Sequence, residues 1–273
     1  MSGAEPRPSP GPSTTGKPMS NSPVVLIPAR MQSSRLPGKP LAMIAGEPMI
    51  VHVWRRAVEA GLGPVHVACA EPEIAAAITD AGGAAVLTRA DHASGSDRIH
   101  EALNIIDPGG VFDQVINIQG DLPTLDPALP RHAAALLADE AVDIATLACP
   151  IDDPAERADP AVVKAVVAAA PGSAGGRALY FTRAEAPSGD GPLYHHIGLY
   201  VFRRRALDRF VALPPGVLER RERLEQLRAL EAGMRIEVAF VDTAPLGVDT
   251  PADLARARHL LAAAGGRQPP RDA

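Results

Sequence analysis

A chain of 273 residues with 27 Lys plus Arg against 32 Asp plus Glu carries a net charge of −5, without the basic excess of a non-specific nucleic-acid binder. Hydrophobic residues at 46% argue against global disorder, and aromatics at only 3% leave a core of Val, Ile, Leu and Ala with no platform for base stacking. No apolar run approaches the ~20 residues of a membrane span. Cys69 and Cys149 match neither a metal-ligand spacing nor a disulfide framework.

Residues 1–23 hold six prolines, five serines and three glycines, too little apolar surface to offset the entropy of ordering them. They read as a disordered tail without the apolar stretch of a secretory signal, which predicts a cytoplasmic chain. Residues 265–273 read as a second tail, leaving one domain over 24–264. Within it Val24–Ile27, Val65–Cys69, Val115–Gln119 and Ile144–Ala148 are short β-rich runs. They alternate with the helix-like stretches Met49–Ala60, Pro72–Ala81, Ser96–Ile106 and Pro127–Ala138. Such β-α-β alternation predicts a mostly parallel sheet with helices on both faces. Beyond Cys149, Val162–Val167, Leu179–Thr182, Ile197–Phe202 and Ile236–Val241 are strand-like, with helices over Arg223–Ala232 and Pro251–Ala263. This half predicts an α/β fold whose sheet is mixed.

Ligands of open α/β sheets bind at the carboxyl ends of the strands. The segment Pro28–Pro40 leaves the first strand with Arg30, Arg35 and Lys39 and no acid, so it is +3 inside a core that is otherwise −10. Gly38-Lys39 suggests a P-loop, but Ser33 and Pro40 stand where that motif needs Gly and Ser or Thr. No Gly-x-Gly-x-x-Gly is present, which disfavours a dehydrogenase. What survives is a polar turn whose amides and cations can hold a phosphate chain.

Asp121 follows Gly120 after the third strand. A Gly-Asp pair commonly satisfies its own turn. Asp249 precedes Thr250-Pro251-Ala252-Asp253, which already forms a complete helix start with Thr250 as cap, so Asp249 is left free. One or two carboxylates are what Mg²⁺ takes on a nucleotide, with waters and phosphate oxygens completing its shell. The polar run Thr88–Arg98 exceeds what capping the following helix requires.

Pro-Ala-Arg-x-x-Ser-x-Arg-Leu-Pro-Gly-Lys-Pro-Leu from Pro28 resembles the opening loop of the nucleotide-sugar cytidylyltransferases, in particular the 3-deoxy-manno-octulosonate (KDO) family. Gln119-Gly120-Asp121, Gly247-Val248-Asp249-Thr250-Pro251 and Thr88-Arg89-Ala90-Asp91-His92 with Ser94-Gly95 are similar to its other segments, so the likeness runs from about Val24 to Leu261. The resemblance implies a nucleotide-diphospho-sugar transferase-like, Rossmann-like three-layer fold. It also implies the transfer of CMP from CTP to the sugar acid for lipopolysaccharide synthesis.

On the same ground Arg30, Arg35 and Lys39 embrace the triphosphate, Arg89, Ser94 and Gly95 contact the nucleoside, and Asp121 and Asp249 hold Mg²⁺. Asp121, Asp249, Lys39 and Arg30 form the implied catalytic set. Gln119, Arg183, His196, Tyr200, Glu225 and Gln226 are the implied sugar contacts, the last two looking past a helical stripe of Leu224, Leu227 and Leu230. A homodimer with an interface from Ile197 through Arg223 is implied too. Two departures stand out, Ala70 and Leu122, where the family often carries acids. Activation of sialic acid or of an amino analogue of the octulosonate stays open, as does a non-catalytic nucleotide-binding protein of this fold.

Overall fold

The computed structural model describes residues 22–33 and 35–265. Strand β1 (Pro23–Ala29) sends Val25, Ile27 and Ala29 to one core and Val24 and Leu26 to another, since successive side chains point to opposite faces. A 3₁₀ turn (Lys39–Leu41) and a small hairpin, β2 (Met43–Ile44) with β3 (Glu47–Pro48), lead into α1 (Met49–Glu59). There follow β4 (Val65–Cys69), α2 (Pro72–Asp80), β5 (Ala84–Leu87), α3 (Gly95–Ile106), β6 (Gln114–Asn117), α4 (Ala128–Ala135) and β7 (Ile144–Pro150). The second half runs α5 (Pro154–Ala158), β8 (Lys164–Ala168), β9 (Gly175–Thr182), β10 (Tyr194–Arg203), α6 (Arg204–Ala212), α7 (Val217–Glu222), α8 (Leu227–Glu231), β11 (Ile236–Phe240) and α9 (Pro251–Gly265).

Nine strands form one sheet in the order β5-β4-β1-β6-β10-β7-β11-β9-β8. The pairs β1–β4, β1–β6, β4–β5 and β7–β11 are parallel, whereas β10 runs antiparallel between β6 and β7. Helices α1, α2 and α4 bury Ile50, Val53, Ile74, Ile78 and Leu129 against one face. Helices α3, α6 and α8 bury Ile99, Leu103, Leu207, Phe210 and Leu227 against the other, which gives the expected three layers. Strand order reverses between β1 and β6, so a crevice opens at their carboxyl ends.

Several expectations change. The helix expected over Arg223–Ala232 shortens to α8, because Arg223 takes a left-handed conformation (φ 56°) that ends the preceding α7. Leu224, Glu225 and Gln226 therefore lie in the connecting turn, although Leu224 and Leu227 are buried as the stripe required. The third strand stops at Asn117, short of Gln119. Edge strand β5, the β2–β3 hairpin and helices α5, α6 and α7 add to the predicted set. Of the expected first tail, residues 1–21 lie outside the described residues, while Pro23 begins β1 and the Ser22 amide donates to Asp113 Oδ1 at 2.9 Å. The expected second tail loses Gly265 to α9, and 266–273 lie outside the described residues. Of the segment implied as an interface, Ile197–Arg203 lies in β10 and is largely buried, with Tyr200–Phe202 paired on both sides, and α6, α7 and the turns after them carry its exposed residues.

Candidate active site

A cleft of about 460 Å³ occupies the crevice, walled by the segment after β1, the start of α3 and the loop after β6. Gly38 lets the first wall form: its φ of 69° is open to glycine at no steric cost, and it turns the chain into the 3₁₀ segment that carries Lys39. Lys39 Nζ donates to Asp121 Oδ2 at 2.8 Å and to Asp249 Oδ1 at 3.0 Å. These two carboxylates hold the ammonium above its ordinary pKa against the opposing effect of burial. Arg35 Nη2 lies 2.9 Å from the other oxygen of Asp249, and Arg30 lines the same cleft.

Two backbone arrangements bring the acids together across 128 positions. Gly120 lies in the turn that follows β6. A Cβ there would meet the Pro28 carbonyl oxygen at 2.8 Å and Ile50 Cδ1 at 3.3 Å, so the glycine admits close approach of the Asp121 loop to β1. The Asp121 carbonyl then accepts from the Val248 amide at 2.9 Å, which aligns the segment carrying Asp249. Buried Val248 anchors that segment beside Ile44, Met49 and Leu254. At the start of α9 the Thr250 amide donates to Asp253 Oδ2 and the Asp253 amide to Thr250 Oγ1. The cap is complete without Asp249, whose carboxylate is turned into the cleft. Leu122, one of the two departures from the family pattern, is buried in the core.

The opposite wall belongs to α3. Ser94 caps it in a reciprocal box with Asp97, so this serine has a structural task as well as a place on the cleft. Gly95 packs on Pro28, where a Cβ would come within 3.2 Å of the ring. Arg89 lies elsewhere: its side chain is exposed and pairs with Asp91 outside the cleft. The wall is lined instead by Arg98, almost wholly buried, whose Nη1 donates to Thr88 Oγ1 at 2.7 Å and to the Arg89 carbonyl at 3.1 Å. Its spacing of four from Ser94 puts both on one helix face and could have singled it out in the sequence.

Gln119 joins this cleft to a second polar group. A Cβ at Gly95 or at Gly198 would lie 3.9 Å from its side chain, so it sits between α3 and the irregular step of β10 after Ile197. His196 and Tyr200 lie next to each other along β10, their rings tilted by 49° with centroids 5.5 Å apart. Burial raises the Tyr200 phenol and drives the His196 imidazole down to about 3. The Thr146 hydroxyl has one proton and its shortest acceptor is the Leu199 carbonyl at 2.7 Å, so the His196 Nε2–H at 3.0 Å donates to Thr146 Oγ1. Nδ1 is left as an acceptor.

Glu225 Oε2 accepts from the Ser96 hydroxyl at 2.9 Å, and Oε1 is buried without a partner. Burial holds this carboxyl above the usual range despite the hydrogen bond from Ser96. Gln226 is buried next to it. Arg183 does not join the group. Its Nε donates to the Glu222 carbonyl at 2.9 Å and its Nη1 to the Pro160 carbonyl at 2.8 Å, so the guanidinium ties the end of β9 to α7.

A neutral, buried His196 has a consequence for stability. Its folded pKa lies below the ordinary 6.5, so its contribution is whole above pH 6.5 and is lost as pH falls toward 3. The expected slope is ~1.4 kcal/mol per pH unit in that window. His66 and His195 are shifted the same way by burial, so the diagnostic is a difference between variants. Urea titrations from pH 7 to 4 should show a flatter profile for His196→Gln, by about one proton. Parallel profiles would contradict a buried neutral imidazole.

A cleft at the switch point of a mostly parallel sheet, cationic on one side and floored by two carboxylates, defines a nucleotide-binding α/β protein of the phosphoryl-handling kind. The family described as cytidylyltransferase matches residues 24–236, and the chain belongs to it. A 3-deoxy-manno-octulosonate cytidylyltransferase of Methylobacterium radiotolerans is 68% identical over 239 residues, 88% of this chain and 96% of that one. The protein of the same name from Paramagnetospirillum magneticum is 64% identical over 241 residues, 88% of this chain and 98% of that one. Among solved structures, a CMP:2-keto-3-deoxy-manno-octonic acid synthetase complexed with CTP superposes with a TM-score of 0.82 at 40% identity, covering 89% of this chain and 99% of that one. A 4-diphosphocytidyl-2C-methyl-D-erythritol synthase from Anaerococcus prevotii covers 89% of this chain and 100% of that one, with a TM-score of 0.60 at 12% identity, and shares the fold alone.

Proposed function

We propose that this chain is a 3-deoxy-manno-octulosonate cytidylyltransferase, which joins CMP from CTP to the sugar acid and releases pyrophosphate. The observation that carries this reading is the Lys39 ammonium bound to both Asp121 and Asp249 in a cleft that Arg30 and Arg35 also face. The anomeric hydroxyl of the sugar acid attacks the α-phosphorus in line. A new O–P bond forms as the bond to the β-phosphate oxygen breaks, and the hydroxyl proton leaves to solvent. No protein nucleophile is needed, since such catalysis is positioning plus electrostatics.

Arg30, Arg35 and Lys39 bind the triphosphate and stabilise the charge that develops on departing pyrophosphate. Two aspartates supply the hard oxygen donors that Mg²⁺ prefers, and Asp121 and Asp249 would hold it. When bound, the ion neutralises phosphate charge and favours the ionised hydroxyl. Ser94, Gly95 and Arg98 form the wall for the nucleoside. On the sugar side, Gln119, Tyr200, Glu225 and Gln226 offer hydrogen bonds, and neutral His196 offers Nδ1 to a hydroxyl. Arg183 would serve the sugar carboxylate only after exchanging its two carbonyl partners.

The same reading makes the product a donor for lipopolysaccharide synthesis and the protein a cytoplasmic homodimer meeting through the α6–α7 surface, where Val217 is exposed. Both cysteines are free and buried, with the Cys69 thiol pushed up to about 11 by burial, which suits a reducing compartment. Among the described residues no helix is long and apolar enough to cross a membrane. The test is pyrophosphate release with CTP, Mg²⁺ and the octulosonate, against the other three nucleotides and against sialic acid and the amino analogue. Equal turnover of sialic acid would move the assignment to another acceptor, and no release with any acid would leave a non-catalytic nucleotide binder.

A further inference from the structure

We propose that Glu101 and His92, which lie on the outer side of the cleft wall, are positioning residues for the nucleotide. They set the path of segment 88–95 and through it the placement of Ser94 and Gly95. This rests on the reading of the cleft as a CTP site.

Residues 89–93 have little else to hold them. Among the described residues no main-chain hydrogen bond involves this stretch, and all of its side chains except that of His92 are exposed. Helix α3 grips it instead from two sides. On the cleft side Arg98 takes the Arg89 carbonyl at 3.1 Å. On the outer side Glu101, three residues on, takes the Arg89 amide at 3.2 and 3.4 Å and also contacts His92 Nε2. Both peptide groups of Arg89 are thus fixed by side chains one helical turn apart on α3. The carboxylate of Glu101 lies below its usual pKa, held against burial by His92 and the Arg89 amide. Neither Glu101 nor His92 lines the cleft. Removing the outer grip leaves the wall free to swing while the phosphate loop, the two aspartates and the sugar group keep their own supports.

Glu101→Ala is therefore expected to raise KM for CTP about tenfold, the size of one charge-assisted hydrogen bond, with KM for the sugar acid and kcat within about twofold. Glu101→Gln keeps an acceptor for the Arg89 amide and should recover most of that loss. The double variant with His92→Ala should be no worse than Glu101→Ala alone, because both act through one carboxylate. Hydrogen exchange should show the Arg89 amide losing protection in Glu101→Ala while the sheet is unchanged. Parallel rises in both KM values, a fall in kcat at constant KM for CTP, or unchanged exchange at the Arg89 amide would each overturn the proposal. If the wild-type enzyme releases no pyrophosphate from CTP, the functional reading has failed, and the exchange comparison still decides whether Glu101 positions this segment.

Discussion

Asp121→Asn is expected to keep the fold and lower kcat by about 10²–10³, the cost of removing one electrostatic clamp from a phosphoryl-transfer site. The change is isosteric, and the structural work at this position is done by main chain: the Asp121 carbonyl accepts from Val248, and Gly120 provides the approach to Pro28. Neither depends on the carboxylate charge. What the variant removes is one of two anionic partners of Lys39, leaving Asp249 to hold the ammonium alone. Pyrophosphate release and thermal melting on the same preparation check both halves. Wild-type turnover in this variant would refute the assigned role of the pair, and a collapsed melting transition would show the carboxylate to be structural.

A second large effect is expected far from the phosphates. Lys164 at the start of β8 is fully buried, and its Nζ donates to the carbonyls of Asp159, Val162 and Arg183 at 2.7, 2.8 and 3.3 Å. Burial lowers its pKa, with Asp159 and Glu185 opposing that shift, and the three carbonyls satisfy all three N–H groups of the ammonium. Lys164→Met keeps the stem and deletes the donors, leaving the Val162 and Arg183 carbonyls without them while the Asp159 carbonyl keeps the Val162 amide at 3.2 Å. Each unsatisfied group costs ~1–3 kcal/mol, and partial relaxation brings the expected loss to ~2–4 kcal/mol. Urea unfolding at neutral pH measures it. A loss below ~1 kcal/mol would mean that water replaces the ammonium without strain.

Periodicity carried the sheet a long way because its strands are buried on both faces and read as continuous apolar runs. Val24–Ile27 is such a run within β1, and Val65–Cys69, apolar apart from His66, matches β4 residue for residue. Ala84–Leu87 follows Gly82-Gly83, is only four residues long and lies at the sheet edge, so nothing local distinguishes it from a loop. Helix α6 had a signal in the spacing of Ala206, Leu207 and Phe210, all buried, immediately after a strand that drew attention away from it. The break at Arg223 had none. A helix-forming residue takes φ 56° there because the turn it makes leads Glu225 to the Ser96 hydroxyl.

By itself the sequence determined the alternating architecture, the position of the phosphate loop and the freedom of Asp249, since the helix start beside it is complete without that residue. These are local matters of period, charge and capping, set within a dozen residues. Only the tertiary structure decided that Val248 pairs with the Asp121 carbonyl, that Arg98 and not Arg89 lines the wall, and that Arg183 is engaged by Pro160 and Glu222. Each of those depends on which of several equally charged or equally polar side chains is buried and finds a partner. That choice is made by contacts between segments far apart in the chain, which no local pattern encodes.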